Sequence, residues 1–356
     1  MKKIVIIGAN SFQNPLILKA KEMGYETHVF AWKDGSIGER TADYFYPISI
    51  VEKEVILEEC RKIQPDAVAT IASDLANITV QYLAEQLGLP HNSAECIYIS
   101  TNKFAMREAF AKHGVPTPGF VSVKEGEDYE AAVAHMQFPM IVKPTDRSGS
   151  RGIMRVERME EIAPAVTEAV RNSFEKKAII EEYIEGNEYS CECISYQGKH
   201  HVLAVTKKYT TGYPHFIETG HMEPPELSET EMNRVKEFIP KALDALEIEN
   251  GASHSEFKLD ADGNVRIIEI GSRMGGDCIG SHLVYLSSGY DFVRMVIETA
   301  LGEKPDLTPA HEPMCAGIRF VFTKKDLDVL EEIKSKSSEL LQMVSEMEPV
   351  GEHQVV

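Results

Sequence analysis

The sequence predicts an α/β protein that begins with a parallel sheet covered by helices. Short apolar segments of strand type alternate with amphipathic segments of helical type at 3–7, 14–23, 26–30, 44–48, 52–63 and 66–71. This alternation is typical of a parallel sheet with helices on both faces. Further along, two alternating apolar segments flank Asp262-Gly263, which is a strong signal for a two-residue β-hairpin turn.

Composition limits the class of protein. A chain of 356 residues with 43% hydrophobic and 26% charged residues is expected to form about two or three packed units, and it has no tract long enough to cross a bilayer. The net charge of −19 disfavours nucleic acid and anionic membranes as partners, so small molecules are expected instead. Six cysteines without a CxxC pair suggest reduced thiols in a cytoplasmic protein. Cys191 and Cys193 share a strand face, where packed thiols are expected rather than a metal site.

The first turn and the first domain boundary can also be predicted. Residues 8–13 (GANSFQ) lack the later glycines of a GxGxxG motif, which excludes a nicotinamide cofactor at this turn. A helix is expected to begin after Thr101, whose hydroxyl can cap it, and to run to Gly114. Prolines at 116 and 118 stop this helix and mark a boundary.

Residues 138–155 (FPMIVKPTDRSGSRGIMR) suggest an anion-binding loop. An apolar strand leads to Lys143, and a loop with three arginines and small residues follows. The small residues are Ser148, Gly149, Ser150 and Gly152. They allow backbone N–H groups to approach a triphosphate whose charge the cations neutralise. A solvated hairpin turn is the alternative, and no Walker motif is present.

Two further segments carry carboxylates. Residues 178–190 (AIIEEYIEGNEYS) lead from an apolar strand into an acidic stretch, for which an exposed loop is the simple alternative. In the hairpin closed by Asp262-Gly263, Glu256 pairs with Glu269 across the strands. Their Cβ atoms would be about 5 Å apart, so the two charges repel and a divalent cation such as Mg²⁺ would compensate them. The alternative is a bridge by Lys258 or Arg273.

Together these segments resemble the ATP-grasp superfamily, over roughly residues 1–305. The motifs that carry the resemblance are TNKFAMREAFAKHGVPTPGF, the Lys143 loop, EEYIEGNE and the carboxylate hairpin. The resemblance implies an ATP-grasp fold with an N-terminal Rossmann-like preATP-grasp domain. The domains that it implies are 1–95 (preATP-grasp), 96–118 (linker helix), 119–180 (lid subdomain), 181–305 (second subdomain with the metal site) and 306–356 (a C-terminal segment).

The resemblance also assigns the nucleotide contacts. Lys103 would meet the α-phosphate and Lys143 the α- and β-phosphates of ATP. The loop residues Ser148, Gly149, Ser150 and Gly152 would fold over the β- and γ-phosphates. Adenine would be held by Glu181, the Glu182 carbonyl and the Ile184 N–H, and the ribose hydroxyls by Glu188.

For the chemistry, the resemblance assigns Mg²⁺ or Mn²⁺ to Glu256 and Glu269, and an acyl phosphate to Arg273 as the catalytic residue. Two features depart from the family pattern. Gly271 stands where an Asn usually supplies a further metal ligand, which weakens the expected metal site. Relatives also continue into a larger C-terminal lobe, so residues 306–356 are expected to be a truncated segment.

The stretch EIGSRMGGDCIGSHLVYLSSGYD (269–291) looks most like the amino-acid and dipeptide ligases. The expected function is an ATP- and magnesium-dependent carboxylate–amine ligase that forms an amide through an acyl phosphate and releases ADP and phosphate. Two alternatives stay open, a purine-biosynthesis or carbamoyl-phosphate-synthase-like enzyme and a nucleotide-binding protein without catalysis. The resemblance also suggests a homodimer, while the sequence names neither substrate.

Overall fold

A computed structural model describes residues 1–147, 149, 151–213 and 217–345. Ser148 and Ser150, both predicted to contact ATP, lie outside the described residues. The strands are β1 (Lys3–Ile7), β2 (Glu26–Phe30), β3 (Tyr44–Tyr46), β4 (Ala67–Ala69), β5 (Phe120–Val123), β6 (Met140–Pro144), β7 (Met154–Val156), β8 (Ala178–Glu182), β9 (Asn187–Tyr196), β10 (Lys199–Thr210), β11 (Glu218–Glu223), β12 (Gly251–Leu259), β13 (Val265–Gly271) and β14 (Ala316–Arg319).

The α-helices of the described residues are α1 (Asn14–Glu22), α2 (Gly38–Thr41), α3 (Lys53–Ile63), α4 (Asp74–Leu87), α5 (Ala94–Thr101), α6 (Lys103–Lys112), α7 (Glu130–Val133), α8 (Ile162–Asn172), α9 (Glu229–Ala245), α10 (Val284–Ser288), α11 (Phe292–Ala300) and α12 (Lys324–Lys336). A π-helical turn, Ile279–Leu283, precedes α10. In this part of the chain, no helix is both long and apolar enough to cross a membrane.

The N-terminal sheet is parallel, with strand order β3-β2-β1-β4. Its central strand is a continuous apolar run because both of its faces are buried. Ile4 and Ile6 pack with Leu16 of α1, whereas Val5 and Ile7 pack with the cluster that includes α3. The predicted strands at 3–7 and 26–30 are confirmed, while those at 44–48 and 66–71 are shorter than expected.

The second sheet is antiparallel, with strand order β5-β8-β6-β7. Helix α8 covers it with an apolar face in which Ile162, Val166 and Val170 recur at four-residue spacing. These side chains share one core cluster with Val142 of β6 and Ile180 of β8. The sheet thereby fixes Lys143 and Glu181 on neighbouring antiparallel strands.

The third sheet has six strands in the order β13-β12-β9-β10-β11-β14. Its β9 strand alternates between two cores, because Cys191 and Cys193 pack against the α9 side and Ile194 packs with α11. Strand β14 pairs with β11, so part of the C-terminal segment extends this sheet. Helix α12 follows this strand and ends at Lys336.

The hairpin at β12 and β13 differs from the predicted two-residue turn, although the predicted pairing of Glu256 with Glu269 is confirmed. Leu259 pairs with Val265, and Asp260 N donates to Asn264 O at 3.1 Å, which leaves a three-residue loop. Gly263 takes the left-handed conformation (φ 71°) that such a loop needs. The longer loop shifts the pairing by one residue, and a β-bulge after Glu256 shifts it back.

The predicted linker helix is two helices separated by Asn102. The Asn102 side chain accepts from Phe104 N and Ala105 N at 3.1 Å and so caps α6. Thr101 was predicted to be this cap, but its hydroxyl donates to Ile97 O at 2.6 Å inside α5. The side-chain amide of Asn102 is therefore the capping group. The extended backbone of Asn102, with φ −105°, separates the two helices.

Candidate functional site

A cavity of about 270 Å³ lies where the N-terminal unit, α6, the Lys143 loop and β13 meet. Its charged lining comes from all of these parts and consists of the cations Lys103, Arg147 and Arg151 and the carboxylates Asp74, Asp146, Glu175 and Glu269. The structure thus brings together Lys103, the loop arginines and Glu269, which are distant in sequence. The three cations can bind the phosphates of a ligand, and the carboxylates that line the same cavity can bind a divalent cation between them.

Lys103 is the first residue of α6, and its ammonium points into this cavity. Its Nζ lies 3.0 Å from Glu269 Oε2 and donates to the Arg147 carbonyl at 2.7 Å. Burial lowers the pKa of Lys103, but the carboxylates of Glu269 and Asp74 outweigh burial and raise it. The lysine is therefore charged and available to an anion.

Lys143 belongs to a buried ion cluster with Glu181 and Arg107. Glu181 forms an ion pair with Lys143 and accepts from Arg107 Nε at 3.0 Å. Arg107 also donates to the carbonyls of Ile267 and Ile268 at 3.2 and 2.8 Å, so it joins α6 to β13. Burial raises the pKa of Glu181, yet Arg107 and Lys143 lower it to about 2.

Sequence reasoning gave Arg107 no role at this site. The available signal was its spacing, because residues 103 and 107 lie on one face of α6 and both are buried. The structure also divides the basic cluster of residues 143–155. Arg155 lies over the rings of Tyr183 and Tyr213, and Arg147 lies over Phe174 at 4.3 Å.

The Lys143 loop is described in part. Gly149 and Gly152 have φ values of 73° and 66°, which suit glycine and allow a tight backbone turn. A Cβ at Gly149 would meet nothing within 4 Å, whereas one at Gly152 would lie 3.1 Å from Asn172. Gly149 is therefore in open space, while Gly152 closes against α8.

The acidic segment after β8 forms a fixed connection between the second and third sheets. Glu182 accepts from Gly119 N and Gln137 N, both at 2.9 Å. Lys258 donates to the Ile184 carbonyl at 3.0 Å. A Cβ at Gly186 would lie 2.1 Å from the Leu259 carbonyl oxygen, so only glycine permits this approach.

Glu256 and Glu269 face each other across β12 and β13, but each has its own cation. Glu256 forms an ion pair with Lys208 of β10, and its Oε1 lies 3.3 Å from His254 Nε2. Burial raises the pKa of Glu256, yet Lys208 and His254 lower it well below its usual range. The alternative that the sequence left open, a bridge by Lys258 or Arg273, is therefore wrong.

The sequence analysis did not identify Lys208. The feature that could have indicated it is a lysine that follows an apolar strand segment. Its Nζ lies 2.8 Å from Glu218 and 3.6 Å from Glu188, the predicted ribose contact. Burial raises the pKa of Glu188, since Lys208 opposes this effect only in part. Behind Glu256, His254 forms an ion pair with the buried Glu192. Burial lowers the pKa of His254, but Glu192 and Glu256 outweigh burial and raise it to about 9.

Arg273 forms a two-point ion pair with Asp74 at the start of α4. Arg273 Nε and Nη2 lie 2.8 and 3.0 Å from the two carboxylate oxygens. Gly271 makes room for this pair, because a Cβ there would lie 2.9 Å from Asp74 Oδ1. Asp74 thus fills space beside position 271, where the family pattern places an Asn side chain.

The facing carboxylates have the donor chemistry that Mg²⁺ prefers. The ion pairs found at this site use Glu256 Oε1 and Glu269 Oε2, which leaves the second oxygen of each group to face a cation. Lys103, Lys143 and Arg273 all lie close enough to Glu269 for their charges to interact with its carboxylate, and a nucleotide triphosphate requires such cations near the metal ion.

The fold and the charged groups of this site resemble those of ATP-grasp proteins. Residues 136–281 match the family model of the ATP-grasp domain. The chain therefore contains an ATP-grasp domain, and the superfamily and fold predicted from the sequence are confirmed.

Among curated proteins, the chain is similar to an alanine–anticapsin ligase of Bacillus subtilis, with 27% identity over 278 residues, 68% of this chain and 58% of that protein. It is also 24% identical over 247 residues to a D-alanine–D-alanine ligase of Ralstonia nicotianae, covering 66% of this chain and 73% of that one. A solved L-amino acid ligase from Bacillus licheniformis superposes with a TM-score of 0.79 at 25% identity, over 91% and 81% of the two chains. The chain thus spans little more than half the length of the first of these curated relatives.

Proposed function

We propose that this chain is an ATP- and Mg²⁺-dependent ligase that joins the carboxylate of an amino acid to an amine. The observation that carries the proposal is the cross-strand pair of Glu256 and Glu269. Glu269 lines a cavity that Lys103 also lines. Similarity to the L-amino acid ligase and the alanine–anticapsin ligase supports an amino acid as the substrate class.

The reaction follows from the poor leaving group of a carboxylate. Its oxygen attacks the γ-phosphorus of ATP, the bond from that phosphorus to the β,γ-bridging oxygen breaks, and ADP leaves. The amine then attacks the acyl phosphate, loses a proton and releases inorganic phosphate as the amide forms. Positioning and charge stabilisation supply most of the catalysis in phosphoryl transfer.

Each group at the site has a proposed part in this reaction. Lys103 and Lys143 hold the ATP phosphates, and the loop that contains Gly149 and Gly152 covers the terminal ones. Bound to Glu256 and Glu269, Mg²⁺ would neutralise the phosphate charge. Arg273 presents its guanidinium to the acyl phosphate while Asp74 holds its Nε edge.

The segment that follows β8 is proposed to bind the nucleoside end of ATP. The Glu182 carbonyl and the Ile184 N–H are proposed to contact adenine, next to the Glu181 cluster. Glu188 is proposed to accept from the ribose hydroxyls, with Lys208 at 3.6 Å limiting its movement.

The test is release of ADP by the full chain with Mg²⁺, ATP and pairs of amino acids. With the correct acid, hydroxylamine should replace the amine and give a hydroxamate, with ADP and phosphate in equal amounts. Glu269→Gln is the inactive control, and Glu237→Gln on an exposed face of α9 is the matched active one. Formation of AMP and pyrophosphate, or equal hydroxamate yield from Glu269→Gln, would refute the proposal.

A further inference from the structure

A second group of ligand-type side chains lies on the far side of Lys208 from Glu256. Glu218 and His221 come from β11, and Asp277 comes from the turn after β13. One ligand atom from each lies within 4.8 Å of the other two. None of the three belongs to β12 or β13, which carry the facing carboxylates, but Lys208 of β10 contacts both Glu218 and Glu256.

His221 is buried without a hydrogen bond. The residue is 2% exposed, and within the described part of the chain both ring nitrogens lack a hydrogen-bond partner. Its Nε2 lies 3.1 Å from Glu218 Oε2, but the two atoms are not aligned for a hydrogen bond. A buried imidazole in this state can bind a metal ion, and one of its nitrogens lies within 4.8 Å of an oxygen atom of each carboxylate.

The charges around His221 also favour a cation. Lys208 already neutralises Glu256 and lies 2.8 Å from Glu218 Oε1, so one ammonium is shared among several carboxylates. Burial and then the neighbouring Glu218 raise the pKa of Asp277 to about 6. Asp277 is held at φ 51°, an uncommon conformation for a residue with a side chain, and its carboxylate lies within 4.8 Å of the ligand atoms of Glu218 and His221.

We propose that Glu218, His221 and Asp277 bind a divalent transition-metal ion, with Zn²⁺ as the ion that their chemistry fits best. Zn²⁺ accepts both imidazole nitrogen and carboxylate oxygen as ligands, whereas Mg²⁺ prefers oxygen alone. Ligand atoms on a tetrahedral zinc ion lie about 3.4 Å apart, close to the 3.1 Å between His221 and Glu218. Three protein ligands leave a fourth position open to water or substrate.

The proposed ligands differ from those of the proposed magnesium site, although Lys208 contacts a carboxylate of each, and binding of the ion requires no nucleotide. The test therefore uses metal alone. The full chain is freed of metal with a chelator and titrated with Zn²⁺ in excess Mg²⁺, without nucleotide, by calorimetry and by metal analysis after gel filtration. We expect one Zn²⁺ per chain.

The variants His221→Ala and Asp277→Asn should each weaken Zn²⁺ binding by at least about tenfold. The matched controls are His201→Ala, a histidine on β10, and Glu269→Gln at the proposed magnesium site, and both should bind Zn²⁺ as the parent does. Circular dichroism verifies the fold of each variant, and the conservative Asp277→Asn keeps the test decisive if His221→Ala unfolds.

Absence of Zn²⁺ binding, or binding that both ligand variants retain, would overturn the proposal. Loss of Zn²⁺ binding in Glu269→Gln but not in Asp277→Asn would assign the ion to the facing carboxylates instead. Neither result bears on ADP release, so this proposal and the proposed function fail independently.

Discussion

Arg273 and Asp74 form a two-point ion pair with distances of 2.8 and 3.0 Å, although they are 199 residues apart in the chain. The pair connects the start of α4, in the N-terminal unit, to the end of β13. Burial lowers the pKa of Arg273, but Asp74 more than offsets this, so the guanidinium stays charged. The proposed catalytic arginine is thus oriented by a residue from another part of the fold.

Gly271 should be intolerant of a side chain because of this pair. Gly271→Ala places a Cβ 2.9 Å from Asp74 Oδ1, and we expect a loss of about 1–3 kcal/mol in the free energy of unfolding. In an Asp74→Gly background, the same change should cost less, which a double-mutant cycle by urea unfolding measures. Gly276→Ala is the control, since its Cβ meets only Ala72 at 3.7 Å. Equal costs in both backgrounds would contradict the explanation.

Lys143 should contribute to nucleotide affinity. Lys143→Met keeps the stem of the side chain, removes its charge and leaves Glu181 paired with Arg107. We expect ATP to bind about 10- to 100-fold more weakly, because a charge-assisted hydrogen bond contributes about 1.5–3 kcal/mol. Calorimetry measures the affinity, with the exposed Lys124→Met as control. Unchanged affinity in folded Lys143→Met would remove this lysine from the site.

Removal of the Glu256 charge should destabilise the metal-free protein. The sequence alone suggested relief of repulsion with Glu269, but Glu256 neutralises the buried Lys208 and contacts His254. Glu256→Gln should therefore lower the free energy of unfolding near pH 7 by about 1–3 kcal/mol, and it should also abolish turnover. Glu237→Gln removes an exposed ion pair with Lys241 and serves as control. A metal-free Glu256→Gln protein more stable than the parent would restore the repulsion argument.

Glu223 should make the protein less stable as pH rises toward neutrality. Burial raises the pKa of Glu223 to about 7, while hydrogen bonds from Ser287 and Thr206 at 2.5 and 2.6 Å lower it only in part. The pKa of Glu223 is higher in the folded state than in the unfolded state. Its contribution to the stability of the fold is therefore complete below about pH 4.5 and is lost as pH rises through about 7.

The corresponding variant is Glu223→Gln, which cannot ionise. The free energy of unfolding of this variant, relative to that of the parent, should rise by on the order of 2–3 kcal/mol from pH 5 to pH 8. Urea unfolding at each pH measures this difference. Glu125→Gln, in an exposed turn, should show no such change with pH. Parallel pH profiles for the parent and Glu223→Gln would show that this carboxyl group does not titrate between folded and unfolded states in that range.

The local sequence determined those features that depend on neighbouring residues. The period of apolar residues predicted strands β1 and β2 and helices α1 and α3, because buried strands and amphipathic helices have different repeats. The pairing of Glu256 with Glu269 was also predicted correctly, although the turn was not. A three-residue loop and a β-bulge offset each other there, and a bulge leaves no clear mark in the sequence.

Tertiary structure decided which charges meet. Lys208, Arg107 and Asp74 come from separate elements, and their partners Glu256, Glu181 and Arg273 are distant along the chain. A single sequence gives the number of charges but not their pairing, because a buried ion selects whichever opposite charge the packing brings within reach. The sequence by itself therefore determined the fold class and the residue types of the site, while the packing of the three sheets decided how each carboxylate is neutralised.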